Sequence, residues 1–308
     1  MTGALRCAVV GGANVDIGGF SAGPIVPRDS NPGRVVRSVG GVGRNIACTL
    51  SLLGAETHLV SPLGLDAFGE LIQRDTRRYG VDMGHSLVLE GASSSVYLYI
   101  AGPRGDMELA VSDMDICSSL TPERIEPLVP FLNAMDAVVM DANLPQETIS
   151  YIAGHVTSPL FADAVSAVKA PRLLCALPRL AAVKPNGAEA EALTGVKVRD
   201  AASGLEAAKS LVAMGAKRAY VTLGALGACC ADEAAAVYLP SRPSAIVSAT
   251  GAGDAFTAAA VWAQMRGLGL MDSARSGMAA ARATIECIET INGALTGEEL
   301  IRRAHMEE

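Results

Sequence analysis

The sequence predicts an α/β fold: a doubly wound, mainly parallel sheet flanked by helices, with a small β-sheet lid. Three observations predict it. Short apolar runs of strand character alternate with segments of helical period along most of the 308 residues, which is the pattern of βαβ units. Half of the residues are hydrophobic and only 4% are aromatic, the make-up of a densely packed α/β core and not of a disordered or fibrous chain. Two segments, about 13–37 and 93–112, interrupt the alternation with glycine, proline and hairpin signals, and together they read as a lid sheet over the site. No repeat or linker divides the chain, so residues 1–308 are taken as a single domain.

In chain order, Cys7, Ala8, Val9 and Val10 read as a buried first strand that Gly11 and Gly12 end. That run is too short for a signal peptide, and no later segment reaches the ~20 apolar residues of a spanning helix. Ile46, Ala47, Leu50 and Leu53 fall on one face of a helix over 44–53, stopped by Gly54. A strand over 57–61 and a helix over 67–79 follow, the latter ended by Gly80. Residues 94–112 read as a hairpin, with strands at 97–100 and 107–111 around a Gly- and Pro-containing turn at 102–106. Beyond it, strands at 137–140, 160–163, 181–184 and 219–223 alternate with helices at 146–153, 188–193 and 201–214. Such a sheet binds its ligands at the carboxyl ends of its strands.

The formal net charge of −7 argues against a broad nucleic-acid footprint, which needs basic surface. Any phosphate must be held locally, by backbone amides or a metal. The seven cysteines are odd in number and scattered, without a CxxC pair, which fits a reduced compartment with most thiols serving as small core residues. The expectation is a soluble, cytoplasmic protein with neither nucleic acid nor membrane as partner.

The residues that carry chemistry cluster in short motifs. Thr250, Gly251, Ala252, Gly253 and Asp254 precede a strongly helical run ending near Trp262. Amides of 251–254 would point outward at that helix N-terminus and favour an anion, and Asp254 is placed to accept the proton of an attacking hydroxyl. The plainer reading is a Gly-rich helix start capped by Asp254. A second cluster, Gly40, Gly41, Val42, Gly43, Arg44 and Asn45, lacks the Gly-Lys-Ser/Thr ending of a P-loop, and Ile46 stands where a dinucleotide fingerprint has its third glycine. Its glycines permit a close backbone approach to a ligand, with Asn45 aimed at the site. Lys184, Pro185, Asn186 and Glu189 follow a strand and open a helix; Asn186 and Glu189 suit either magnesium-bound waters or a capping box. Thr222, Gly224 and Gly227 after another strand suit nucleotide phosphates or a simple turn.

Together with Gly11, Gly12, Asn14 and Asp16, these motifs in this order resemble the ribokinase-like (PfkB) family of carbohydrate kinases across essentially the whole chain. The resemblance implies ATP-dependent phosphorylation of a primary sugar hydroxyl. Asp254 would then be the general base and Gly251, Ala252 and Gly253 the anion hole. Asn186 and Glu189 would organise Mg2+ through water, and Thr222, Gly224 and Gly227 would lie along ATP. Asn14, Asp16, Gly41, Gly43 and Asn45 would hold the sugar.

Within the family, the segments around Asp29, Ser30, Asn31 and Gly33, around Gly40 to Asn45, and from Asp163 to Lys169 are similar to members that phosphorylate pseudouridine. Asp29, Ser30, Asn31 and Arg44 offer the acceptors and donors a uracil ring needs, though 28–33 also reads as a solvated loop. Lys169 is assigned to the nucleotide, as an ion pair with Asp163. Two departures stand out: Ser248 replaces the acidic residue that family members associate with potassium, and Ala164 follows Asp163 where proline is usual. The expected reaction gives pseudouridine 5′-phosphate and ADP. The alternatives are another ribonucleoside or ribose as acceptor, or a non-catalytic nucleoside-binding regulator. An exposed lid edge, with Met107, Leu109 and Val111 on one strand and Tyr97 and Tyr99 on the other, predicts a homodimer formed lid to lid.

Overall fold

Residues 5–103, 105–242 and 244–306 are described by the computed structural model; Arg104 of the predicted hairpin turn lies outside them. Strand β1 (Arg6–Val10) shows how the core forms. Cys7 and Val9 point into one hydrophobic layer, Ala8 and Val10 into the other, because side chains alternate along a strand. Both faces of the sheet are thus covered, as a parallel sheet requires. After β1 come β2 (Asn14–Ser21), β3 (Gly33–Gly40), α1 (Val42–Leu52), β4 (Glu56–Val60), β5 (Pro62–Gly64) and α2 (Ala67–Arg77). Then follow β6 (Leu87–Leu89), β7 (Val96–Ala101), β8 (Met107–Asp113), α3 (Pro122–Ile125), α4 (Val129–Asn133), β9 (Ala137–Asp141) and α5 (Gln146–His155). The second half holds β10 (Leu160–Asp163), β11 (Leu180–Lys184), α6 (Gly187–Thr194), α7 (Ala201–Ala213), β12 (Arg218–Thr222), β13 (Gly227–Asp232) and β14 (Ala236–Pro240). The chain closes with α8 (Ala252–Met265), α9 (Leu270–Ile285) and α10 (Gly297–His305).

The main sheet has eight strands in the order β14-β13-β12-β11-β10-β9-β1-β4. Six pair in parallel from β4 to β12, while β13 and β14 turn back antiparallel at one edge. The lid is a separate four-stranded sheet, β3-β2-β7-β8. It is mixed, since β2 runs parallel to β7 and antiparallel to β3. A third pair, β5 with β6, has no signal in the sequence because its strands are only three residues long.

Helices α1, α8 and α9 share one layer with Cys7, Val9 and Val139. Their small residues allow close approach: Ala255, Ala258, Ala259, Ala279 and Ala280 are buried there. The Trp262 indole N–H donates to the Leu53 carbonyl at 3.0 Å, which ties α8 to the end of α1 and so fixes Asp254 relative to Asn45. Cys7, Cys48, Cys117, Cys229 and Cys230 are free and buried. Burial pushes Cys7, Cys48 and Cys117 up to about 12, so these thiols serve packing. Among the described residues no helix is long and apolar enough to cross a membrane.

Candidate active site

The carboxyl ends of β1, β9, β10, β11 and β12 converge on the N-terminus of α8. Gly251 caps that helix at φ 83, and a Cβ there would run into the Thr290 carbonyl, so only glycine turns the chain so tightly. The first amides of α8, at Ala252, Gly253 and Asp254, lack carbonyl partners one turn back and face the strand ends. Asp254 is half-buried, and its Oδ2 accepts from Asn45 Nδ2 at 2.8 Å.

Charge around Asp254 is unevenly balanced. Lys184 Nζ lies 2.9 Å from Asp163 Oδ2, which also accepts from the Thr257 hydroxyl at 2.7 Å. Asp141 is fully buried, and its Oδ2 accepts from the amides of Gly12 and Gly43 at 2.8 and 2.9 Å. Loss of water, reinforced by Asp163 and Asp141, raises Asp254 to about 7 against the opposing pull of Lys184 and Asn45. A carboxylate that ionises near neutrality is matched to taking a hydroxyl proton at physiological pH.

On the acceptor side, Asn14 Nδ2 donates to Asp16 Oδ1 at 2.7 Å, and both sit at the start of β2, just after β1 ends. Asn14 and Asn45 are buried. Gly41 opens α1 at φ 101. A Cβ at Gly43 would lie 2.9 Å from the Gly11 backbone. These glycines therefore admit a backbone neighbour, the Gly11–Ala13 turn, and the Gly43 amide is spent on Asp141: a correction to its assignment as a substrate contact. Arg44 requires the same correction. It is 2% exposed, it forms an ion pair with Asp75, and it donates to the Val39 carbonyl and Asn45 Oδ1, both at 3.1 Å. Its guanidinium also lies over the Tyr79 ring, so it belongs to the α1–α2 interface and not to a base-binding surface.

Asp29, Ser30 and Asn31 are not brought to this site. Gly40 pairs with Asn14 at the base of the lid, whereas Gly33 pairs with Ser21 at its far end. The loop carrying the three residues thus begins roughly 17 Å beyond Asp16, at about 3.4 Å per residue. Within that loop Asn31 is occupied, accepting from the Val26 amide at 2.8 Å and donating to the Val26 and Asp29 carbonyls. In their place the lid offers aromatics. In the parallel β2–β7 pairing Asp16 stands opposite Tyr97 and Gly18 opposite Tyr99, so both tyrosines share the face of Asp16. The Phe20 ring meets Tyr99 edge-on, with centroids 5.8 Å apart. Periodicity alone left these tyrosines as lid-edge residues.

Lys169 and Asp163 do not pair with each other. Lys169 Nζ donates to Asn143 Oδ1 at 2.6 Å, beside Gly12 and on the acceptor side, while Asp163 takes Lys184. The sequence reading missed Asp141, which ends β9, and Asn143, two residues beyond it. The only available signal was a polar pair closing an apolar run, and that pattern is common at strand ends.

On the opposite side of Gly253 opens a cleft of about 470 Å3 that includes Thr222, Gly224, Gly227, Ala252 and Phe256. The sequence reading assigns the first three of these to ATP and Ala252 to the anion hole. It did not foresee the wall supplied by Met278, Ala281, Arg282 and Ile285 of α9 or by Ile246. The volume suits a nucleotide-sized ligand, apolar at one end and glycine-lined at the other.

Asn186 and Glu189 form a full capping box at α6. Asn186 donates from its backbone and side chain to the two Glu189 oxygens, both at 2.7 Å, and accepts from the Glu189 amide at 3.0 Å. Burial raises Glu189, while Lys184 pulls the other way. Capping does not exclude a cation. Asp163, Glu189 and Asp254 act on one lysine, Lys184, although among the described residues no three such side chains are grouped to ligate a bare ion. A hydrated divalent ion bringing polyphosphate to this region fits that surplus of negative charge.

A family model described as pfkB family carbohydrate kinase matches residues 4–296. A pseudouridine kinase of Escherichia coli is 31% identical over 290 residues, covering 92% of this chain and 91% of that protein. An uncharacterized sugar kinase of the same organism is 34% identical over 277 residues, 89% of this chain and 76% of its own length. Among solved structures, a carbohydrate kinase from Agrobacterium tumefaciens superposes with a TM-score of 0.85 at 29% identity, covering 98% of this chain and 97% of that one.

Proposed function

This chain belongs to the pfkB family of carbohydrate kinases, and from that premise we propose that it transfers the γ-phosphoryl group of ATP to the 5′-hydroxyl of pseudouridine. The observation that carries the kinase reading is Asp254, raised to about 7 and standing between the acceptor residues and the glycine-lined cleft. The base assignment is supported by the likeness to a pseudouridine kinase over nine-tenths of the chain, and by the lid tyrosines beside Asp16.

The ribose is held by Asn14, Asp16 and Asn45, with Asp16 accepting from vicinal hydroxyls. Tyr97 and Tyr99 present flat faces to the uracil ring and phenolic oxygens able to accept its N–H groups. Asp254, one oxygen held by Asn45, takes the 5′-hydroxyl proton with the other. The bond from the substrate 5′-oxygen to the γ-phosphorus forms as the bridge to the β-phosphate breaks, and ADP leaves with the bridging oxygen. The amides of Ala252, Gly253 and Asp254 face the charge of the group in flight. Asn186 and Glu189 would hold magnesium through its waters, and the ion would supply charge to offset the polyphosphate. Positioning and charge compensation supply most of the rate.

The test is ADP release with ATP and magnesium across pseudouridine, uridine, other ribonucleosides and free ribose. Turnover with pseudouridine and a 5′-monophosphate product support the assignment. A best substrate other than pseudouridine removes the base assignment and leaves the kinase.

A further inference from the structure

A buried hydrogen-bonded chain runs from α2 to the proposed base, and its inner links are adjacent residues of α1. Asp75 binds the Arg44 guanidinium, Arg44 donates to Asn45 Oδ1 at 3.1 Å, and Asn45 Nδ2 donates to Asp254 Oδ2 at 2.8 Å. The Asn45 side chain thus has its oxygen against a cation and its nitrogen against a carboxylate. Turning the amide over would set NH2 against guanidinium and oxygen against carboxylate, so both contacts would become repulsive at once. Arg44 is itself fixed from three sides, by Asp75, by the Val39 carbonyl at 3.1 Å and by the Tyr79 ring. An arginine buried to 2% exposure is costly to desolvate unless paired, and packing α1 on α2 needs no charge.

We propose that Arg44, anchored by Asp75, is a positioning residue for phosphoryl transfer: it locks the Asn45 amide in the one orientation that holds Asp254 Oδ2 and leaves Oδ1 for the substrate hydroxyl. Without the lock the amide samples both orientations, and Asp254 loses its fixed donor in a fraction of molecules. Because Asn45 also contacts the ribose in this reading, the effect falls on the chemical step and on KM for the nucleoside, while the nucleotide cleft, which Arg44 does not line, is left alone. The charged groups facing Asp254 from the other packed elements, Asp141 of β9, Asp163 of β10 and Lys184 of β11, stay in place when Arg44 changes.

This inference rests on the reading of Asp254 as the base, and a double-mutant cycle separates the two. Arg44→Lys keeps the charge but not the fork; it should lower kcat about tenfold, the size expected when a charge-assisted bond is lost, with KM for ATP unchanged. Asn45→Ala should lower kcat at least as much. The double variant should be no worse than Asn45→Ala alone, because Arg44 acts through Asn45. The pH at which kcat reaches half its plateau should also move upward in Arg44→Lys, since Asp254 then loses a donor that favours its ionised form. Multiplicative losses in the double variant, or a fall in thermal stability with kcat and the pH profile unmoved, overturn the proposal. Should Arg44→Lys not fold, Asp75→Asn at the partly exposed end of the chain takes its place with the same expectations. If Asn45→Ala and Asp254→Asn both turn over normally, the base assignment itself has failed.

Discussion

At the scale of single residues, Asp254 unites two roles whose consequences have opposite signs. Its carboxyl is raised to about 7 because burial and the neighbouring Asp163 disfavour its charge. Catalysis needs the ionised form, so kcat should rise through about pH 7 and level off above it. Asp254→Asn should cost roughly a hundredfold or more in turnover, the usual weight of a general base, with ATP affinity kept. Stability runs the other way. A carboxyl raised on folding stabilises the native state at low pH and loses that contribution as pH rises through the folded value. The thermal midpoint of Asp254→Asn should therefore gain on the parent as pH rises from the usual carboxylate range to about 7 and hold a constant gap above it, and a gap independent of pH throughout would show that Asp254 is not strained by its charge. The sequence marks Asp254 because an acid after Gly251, Ala252 and Gly253 suits either a base or a helix cap, and the N-cap of α8 is Gly251, with no side-chain capping bond. Arg44 was not legible, since its partner Asp75 is 31 positions away and a helix-surface arginine shows the same local pattern. Asn31 misled for a similar reason: a polar residue in a loop reads as a ligand contact until its amide is seen closing the loop itself.

At the scale of elements, helix N-termini do the work. The α6 terminus carries Asn186 and Glu189, which cap it and which we propose also hold magnesium-bound waters. Asn186→Ala and Glu189→Gln should each raise the magnesium concentration for half-maximal rate; unchanged titrations in both variants would leave them as caps alone. Before α8, Ser248 stands where the family resemblance leads us to expect an acid, and the nearby Ile285 carbonyl already accepts from the amides of Val247 and Ser248 at 2.8 and 3.2 Å. Activity should therefore depend little on potassium. Exchanging potassium for a bulky organic cation at constant ionic strength checks this, and a several-fold drop would count against it. Most strands and helices were legible from periodicity, because each parallel strand is an apolar run long enough to be seen. The antiparallel edge β13–β14 was not: Ala228, Cys229, Cys230 and Ala231 are small buried residues without β-branching, and tertiary pairing makes them a strand.

At the scale of the whole molecule, the lid sheet leaves one face uncovered. Register puts Leu109 opposite Ile100 and Val111 opposite Leu98, away from Asp16. Val35, Leu109 and Val111 are 75%, 63% and 57% exposed. Met107 departs from that face, since its sulfur accepts from the Tyr97 hydroxyl after a bulge in the pairing. An apolar sheet face and the open β8 edge fit a second copy of the chain. The protein should run as a dimer at micromolar concentration, and Leu109→Asp with Val111→Asp should make it a monomer; a monomeric parent with full activity would remove the interface. Alternation and lid were legible in the sequence, but which lid residues look toward the site was not, because that depends on how β2 and β7 align. The nucleoside base is where the whole fold bears on function, since pseudouridine and uridine share their ribose and differ at one ring edge, N1–H against C5–H. A buried acceptor left unpaired there costs on the order of 1–3 kcal/mol, or about ten- to hundredfold in kcat/KM. The direct measurement is competition between the two nucleosides for limiting ATP in one reaction, reading the two 5′-monophosphates. A pseudouridine-selective kinase gives at least about tenfold more pseudouridine 5′-phosphate; equal amounts of the two products would contradict the assignment.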